Sequence, residues 1–383
     1  MRARLLLLFV LLAFPIGFLR AQEGGGQQLF PYVGVDILTR GDAALEAGNF
    51  EAAALDYSLF IYLNPTAAVG YFERARAYTE LERLDDALAD MNTALSLPAP
   101  SEAFTAILHD SRARLHLRLN DLERALSDFT ASIAAAPDRP DAYFARATIY
   151  QETGDFELAL ADWDQVLAAA PDNVQSRFNR AQILTRLERY AAAQDDYTRL
   201  IAAQPREPRF YAGRAMTYFQ QGDPELALAD INRAVELDAE NPVYRLQRAG
   251  IYQQVERPAD AAQDYLAWVQ AIQRTENDRV LTLIPGVSQF FLLAQGDVFV
   301  LRFEADAGRS IRLSATSPAD TPVDSLLVVL DPTGNPLIGN DDSGGRLDAA
   351  LIFDAPVTGI YSVVLSHALG NPNGPVRVRL EFE

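Results

Sequence analysis

A single spacing governs most of this chain. The pair Arg-Ala stands at Arg112-Ala113, Arg146-Ala147, Arg180-Ala181, Arg214-Ala215 and Arg248-Ala249, and each step is 34 residues. Backwards, Arg74-Ala75 lies 38 residues before Arg112, the four extra residues falling in the Pro98–Ser101 loop, and Arg40-Gly41 lies 34 before that. An acidic series keeps the same phase (Asp56, Asp90, Asp128, Asp162, Asp196, Asp230, Asp264), and so does a small one (Ala53, Ala87, Ala125, Ala159, Ala193, Ala227, Ala261). Pro65, Pro137, Pro171 and Pro205 close their copies. One unit of this length cannot bury its apolar face alone, so the copies must stack on one another. The pattern predicts a helical solenoid over residues 34–275 rather than one globular core.

The copy from Pro140 to Asn173 has Tyr143, Ala147, Tyr150, Gly154, Phe156, Ala159, Trp163 and Pro171 at positions 4, 8, 11, 15, 17, 20, 24 and 32. This pattern resembles the tetratricopeptide repeat, and seven copies begin near Gly34, Ala68, Ala106, Pro140, Val174, Pro208 and Pro242. Small residues at positions 8 and 20 let the two helices of a copy approach, and large ones at 4, 11, 17 and 24 fill between them. His116 and Leu184 replace the aromatic at position 11. The Arg of position 7 faces the Asp of position 23 in every copy. A binding groove would vary from copy to copy, so these two series are expected to form a ladder of structural ion pairs.

The resemblance implies a concave groove lined by first-helix positions 2, 5, 9, 12 and 13. On this chain those positions include Phe72, Arg76, Arg114, Arg118, Phe144, Phe178, Arg186, Arg209 and Phe219. Interleaved aromatic and Arg side chains are the composition of interaction hot spots, which points to a protein or peptide partner. The competing assignment places Phe72, Phe144 and Phe178 in the packing between repeats. The carboxylate clamp of some family members uses Lys and Asn; this chain has no Lys, so the clamp is absent in its usual form.

After Arg274 the helical pattern stops. Short runs follow at Val280–Ile284, Phe290–Leu293, Val298–Phe303, Ser310–Ala315, Ser325–Leu330, Ala349–Phe353, Tyr361–Leu365 and Val376–Phe382, separated by turns rich in Gly, Pro, Asn and Asp. Eight such strands predict an all-β sandwich or jelly roll over residues 276–383. The stretch from Asp324 and Leu326-Leu327-Val328 through Asp331-Pro332-Thr333-Gly334-Asn335 and Asn340-Asp341-Asp342 to Gly359-Ile360-Tyr361 resembles the bacterial pre-peptidase C-terminal domain, although that family's usual double Tyr is missing. The resemblance implies an accessory module of secreted proteins, some of which bind calcium or an extracellular polymer. Asp324, Asp331, Asp341, Asp342 and Asp348 are the candidate calcium ligands, since Ca²⁺ favours clustered oxygen donors. The alternative is that these residues cap their own turns. No other cofactor is implied.

No amphipathic helix follows the last repeat, whose second helix is expected from about Pro258 to Arg274 with Leu266, Val269 and Ile272 at helical spacing. An uncovered apolar stripe is an aggregation liability, so the β domain is expected to dock there as a cap.

At the other end, Arg2 and Arg4 precede a Leu-rich run, and Ala21 precedes a polar, Gly-rich lead over residues 22–33. Residues 1–21 therefore read as a secretory signal peptide, placing the mature chain in the periplasm or outside the cell with no stable membrane insertion. An uncleaved anchor is the alternative, because Leu19 is not the small residue preferred there. Cys is absent and all 33 basic residues are Arg, which excludes thiol chemistry, zinc-thiolate sites, Schiff bases and a phosphate-loop Lys. A net charge of −19 argues against nucleic acid. Only His109, His116 and His367 are available for general base work, the first two at packing positions. The expected function is a non-catalytic protein–protein scaffold binding a partner segment in the groove. The alternative is a calcium-assisted polymer- or surface-binding protein with the repeats as spacer.

Overall fold

The computed structural model describes residues 31–272, 280–294, 296–319, 322–341, 348–368 and 373–382. The leader reading falls outside those residues, as does Asp342. The chain divides into two compact units, Met1–Ala136 and Pro137–Glu383. Among the described residues, fourteen helices form a repeat solenoid and nine strands follow it. The first unit holds α1 (Pro31–Glu46), α2 (Phe50–Leu63), α3 (Ala68–Glu80), α4 (Leu84–Ser96), α5 (Glu102–Arg118) and α6 (Leu122–Ala135). The second holds α7 (Pro140–Thr153), α8 (Phe156–Ala169), α9 (Val174–Arg186), α10 (Tyr190–Ala203), α11 (Pro208–Gln221), α12 (Pro224–Leu237), α13 (Pro242–Gln254) and α14 (Pro258–Ile272).

The periodic residues build the packing as their sizes require. Ala75, Ala113, Ala147, Ala181, Ala215 and Ala249 of position 8 have no exposed surface, nor has any Ala of position 20. Against them lies the large residue of position 24: Tyr57, Met91, Phe129, Trp163, Tyr197, Ile231 and Tyr265, all buried. Each first helix passes to its second through a left-handed residue at position 15. Gly154 (φ 86°) and Gly222 (φ 93°) adopt this without penalty, whereas Glu82, Glu188 and Glu256 are held at φ 56–58°. That conformation costs a side-chain-bearing residue about 1 kcal/mol, which the packing of each helix pair offsets.

The strands form two sheets packed face to face, not closed into a barrel. One contains β1 (Val280–Thr282), β3 (Phe299–Ala305), β8 (Gly359–His367), β5 (Ser325–Leu330) and β6 (Pro336–Asn340), in the order β1-β3-β8-β5-β6. The other contains β2 (Ser288–Leu293), β9 (Gly374–Phe382), β4 (Ser310–Thr316) and β7 (Ala349–Asp354), in the order β2-β9-β4-β7. Leu301, Phe303, Ile311, Leu313, Leu351, Tyr361, Val363 and Val378 meet in the core between them. The architecture is the expected sandwich with one additional strand. Pro336, Gly339 and Asn340 read as turn, yet they form β6; an edge strand tolerates Pro at its first residue because no neighbour there needs the missing N–H.

The outer face of the five-stranded sheet is covered by the last repeat. Leu326, Val328, Val364, Val298 and Ala368 join Ala262, Tyr265, Trp268 and Val269 of α14 in one buried cluster, with Leu266 packed at its margin. Three hydrogen bonds fix the contact: Trp268 Nε1 donates to the His367 carbonyl at 3.1 Å, Tyr265 Oη to Asp341 Oδ1 at 2.6 Å, and Gln253 Nε2 to the Gly339 carbonyl at 2.9 Å. Gly339 lets strand and helix close up, since a Cβ there would lie 2.9 Å from the Tyr265 ring. The sandwich thus caps the array, as the missing terminal helix predicts.

Candidate functional site

All seven Arg–Asp pairs form, each with two parallel bonds from Nε and Nη2 to the two carboxylate oxygens. For Arg146–Asp162 these are 2.8 and 2.7 Å, for Arg180–Asp196 2.8 and 2.7 Å, and for Arg214–Asp230 2.6 and 2.9 Å. Arg40–Asp56, Arg74–Asp90, Arg112–Asp128 and Arg248–Asp264 repeat the geometry. The carboxylates are almost fully buried, and their hydrogen bonds raise the guanidinium pKa of Arg74, Arg146, Arg180, Arg214 and Arg248. These Arg are part of the scaffold and do not point freely into the groove.

Sequence reasoning missed the third bond of this ladder. The remaining Nη1 donates to position 25 of the preceding repeat: Arg74 to Ser58 Oγ (3.1 Å), Arg112 to Asn92 Oδ1 (2.7 Å), Arg180 to Asp164 Oδ1 (2.7 Å), Arg214 to Thr198 Oγ1 (3.0 Å) and Arg248 to Asn232 Oδ1 (2.9 Å). The Arg therefore ties its own copy together and ties it to its neighbour. The residue type at position 25 changes, but an acceptor oxygen is present in every copy that another copy follows, and that constancy of chemistry was the signal available.

In the third copy His109 and His116 stand where the second, fourth and sixth copies have Tyr, as Arg74 lies over Tyr71 and Tyr78. His109 Nδ1 donates to Asp128 Oδ1 at 2.9 Å, and His116 Nε2 lies 3.7 Å from Asp128 Oδ2. Burial pushes the His116 imidazole below its ordinary pKa, although Asp128 and Asp121 oppose the shift. Burial also acts to raise Asp128, but the bonds from Arg112 and His109 outweigh it and hold that carboxyl low. A His depressed on folding stabilises the protein above its unfolded pKa, and that contribution is lost as pH falls through about 6.5 and below. His116→Tyr should therefore flatten the fall in melting temperature between roughly pH 7 and pH 5, where carboxylates remain ionised. Thermal melts of both proteins across that range provide the check, and parallel curves would remove His116 as the cause.

His367 is structural too. Its Nε2 accepts the Gly296 N–H at 3.0 Å, so its proton sits on Nδ1 and is donated to the Ala368 carbonyl at 2.9 Å. Neighbouring Ser366 donates to the Asp297 carbonyl, which leaves no nucleophile–base pair between them.

The groove candidates separate into two groups. Phe72 meets Phe104 edge-on at 5.6 Å, Phe144 meets Trp163 at 4.9 Å, and Phe178 packs between Tyr197 and Phe210. Phe219 packs against the cluster of the last repeats. Arg209 lies over Phe178 and Phe210, and Arg186 over Phe156. The Phe side chains thus pack within the array, and a given surface position does not reveal whether a neighbouring ring will reach it. By contrast, Arg76, Arg114 and Arg118 converge on one cleft of about 350 Å³. Leu45, Phe50, Met91 and Leu115 give it apolar walls, and Thr79, Glu80 and Ser111 complete it. Arg76 pairs with Glu73 at 2.5 Å and Arg114 with Asp110 at 2.9 Å. Arg118 donates to the Thr79 carbonyl and pairs at 2.6 Å with Glu82, whose side chain is 75% exposed. That last pair is one an incoming carboxylate can replace at little cost, since exposed ion pairs contribute only about 0–1 kcal/mol.

Asp331, Asp341 and Asp348, three of the five calcium candidates, hold polar partners within the protein. Asp331 accepts the N–H groups of Thr333 and Asn335 and the Thr333 hydroxyl, whose bond is the largest cause of its lowered pKa. Asp348 accepts from the Ser317 N–H and hydroxyl, and Asp341 from Tyr265 on α14. Asp324 takes the Ala368 N–H on its carbonyl oxygen. Among the described residues, no three His, Cys, Asp or Glu side chains gather as a metal site.

The tetratricopeptide repeat family model matches residues 38–102, 111–172, 144–193 and 178–242, more than half of the chain. A tetratricopeptide repeat and J domain-containing co-chaperone of Cryptococcus neoformans is 29% identical over 132 residues, which is 34% of this chain and 24% of that protein. The chain thus spans about a quarter of that relative. The C-terminal part of a repeat-containing protein from Cytophaga hutchinsonii superposes with TM-score 0.51 at 17% identity, covering 60% of this chain and 95% of the other. A repeat protein from Parabacteroides merdae reaches TM-score 0.43 at 20% identity over 64% of this chain and 94% of the other.

Proposed function

This chain belongs to the tetratricopeptide repeat family, and on that premise we propose that it is an exported, non-catalytic scaffold that binds a protein partner through a peptide segment. The observation that carries the reading is the cleft of Arg76, Arg114 and Arg118 over the apolar walls of Leu45, Phe50, Met91 and Leu115. It suits a segment that inserts an apolar side chain and presents a carboxylate beside it. The apolar group would leave water, and the carboxylate would displace Glu82 from Arg118. Export rests on the basic start, Leu-rich run and small residue at Ala21. The net charge of −19 makes nucleic acid an unsuitable partner. The sandwich is read as an accessory module of the pre-peptidase C-terminal type whose first task is to close the array.

Capture from the envelope fraction of the source cells, followed by mass spectrometry, identifies the partner. Arg114→Ala with Arg118→Ala should then weaken its binding at least about 10-fold while helical circular dichroism stays unchanged. Equal binding by the double variant would remove the cleft from the mechanism.

A further inference from the structure

The second helix of the first repeat is apolar on the face its neighbours leave open. α2 buries Ala53, Tyr57, Phe60 and Ile61 on one side. On the other, Leu55, Leu59, Tyr62 and Leu63 are 71%, 43%, 82% and 48% exposed. A helix apolar all round belongs in an interior. The repeat itself does not require this: at the positions of Leu55, Leu59 and Tyr62, the fifth copy has Asp195, Arg199 and Ala202, and the sixth has Ala229, Arg233 and Glu236. Three of the four exposed residues, Leu59, Tyr62 and Leu63, also lie in the longest uncharged stretch of the array, from Tyr57 to Phe72, and Asp56 beside Leu55 is buried and paired with Arg40.

We propose that this face is a two-fold contact with a second copy of the chain. Two molecules of net charge −19 repel, which favours a contact where charge is sparse, and the open face of α2 supplies such a place. Leu55, Leu59 and Tyr62 fall at i, i+4 and i+7, a continuous seam that can pack on its own symmetry mate. The four exposed side chains offer on the order of 450 Å² per copy, so a two-fold contact buries nearly 1,000 Å² in all. That is the low end for a specific interface, and it sets a weak, concentration-dependent dimer as the expectation. The proposal is independent of the peptide cleft, whose Arg side chains come from α3 and α5, and either can fail without the other.

The absence of native Cys makes the test clean. In residues 22–383, Leu59→Cys introduces one thiol near the middle of the seam, where it meets its own mate across a two-fold axis. Mild oxidation should link two copies. Gln165→Cys, at the same position of the fourth copy, should not cross-link. Leu55→Asp with Tyr62→Asp should raise the dimer dissociation constant at least about 100-fold in sedimentation equilibrium, with helical circular dichroism unchanged. A parent chain that stays monomeric at every concentration reached, a dimer that survives the double Asp variant, or equal cross-linking of both Cys variants would overturn the proposal.

Discussion

Arg180→Ala is expected to destabilise the second unit by about 3 kcal/mol or more. The reason lies with the partner left behind. The Asp196 side chain is 1% exposed and accepts two bonds from Arg180 and one from Arg177 at 3.1 Å. Removing Arg180 leaves a buried carboxylate with one cation in place of two, and it also cuts the 2.7 Å tie to Asp164 on the preceding copy. Arg180→Met with Asp196→Leu should recover most of the loss, because replacing both charges leaves nothing buried and unpaired. Urea melts of the three variants read the difference. A single variant as stable as the parent would mean that water solvates Asp196 and the rung is not structural.

Loss of the cap should have the second large effect. Ending the chain at Ile272 exposes Tyr265, Trp268 and Val269, and at about 2 kcal/mol for each large side chain the last repeat loses on the order of 5 kcal/mol. In a stack coupled only through neighbours, the loss is local: α13 and α14 should exchange amide hydrogens first, and the truncated array should self-associate through the bared stripe. Gly339→Val should reproduce part of this in the full chain, because its side chain must displace the Tyr265 ring. A truncated array that is monomeric with unchanged protection in α14 would show that the sandwich is only tethered there.

What the sequence discloses depends on whether one chemistry is written with one letter. Arg at position 7 and Asp at position 23 never change, so the ladder and the phase of every helix were legible before any coordinates. Position 25 performs an equally regular task with Ser58, Asn92, Asp164, Thr198 and Asn232, and the changing letters concealed it. Asp331 shows the opposite difficulty: one letter serves a self-capping turn as well as a metal ligand, and the turn contacts to Thr333 and Asn335 appear only in three dimensions. The strand at Pro336–Asn340 was hidden because its turn-forming residues are tolerated at a sheet edge. Phe144 and Phe178 hold first-helix positions assigned to the groove, but each is half-buried against rings of neighbouring helices, Trp163 for the first and Tyr197 and Phe210 for the second.

The series at position 25 ends on a different note. Ser58, Asn92, Thr130, Asp164, Thr198 and Asn232 each offer an oxygen to whatever copy comes next, and the seventh member is Leu266. An Arg arriving there from an eighth copy would find a methyl group. The last copy thus lacks the hydrogen-bond acceptor with which its predecessors receive a neighbour, and its outer face is fitted to the sandwich instead. An added copy placed inside the array would find an acceptor oxygen waiting at position 25. A copy added at the C-terminal end would forgo that hydrogen bond at Leu266 and would have to displace the sandwich. Lengthening from within therefore costs the ladder nothing, whereas lengthening at the end breaks both the ladder and the cap.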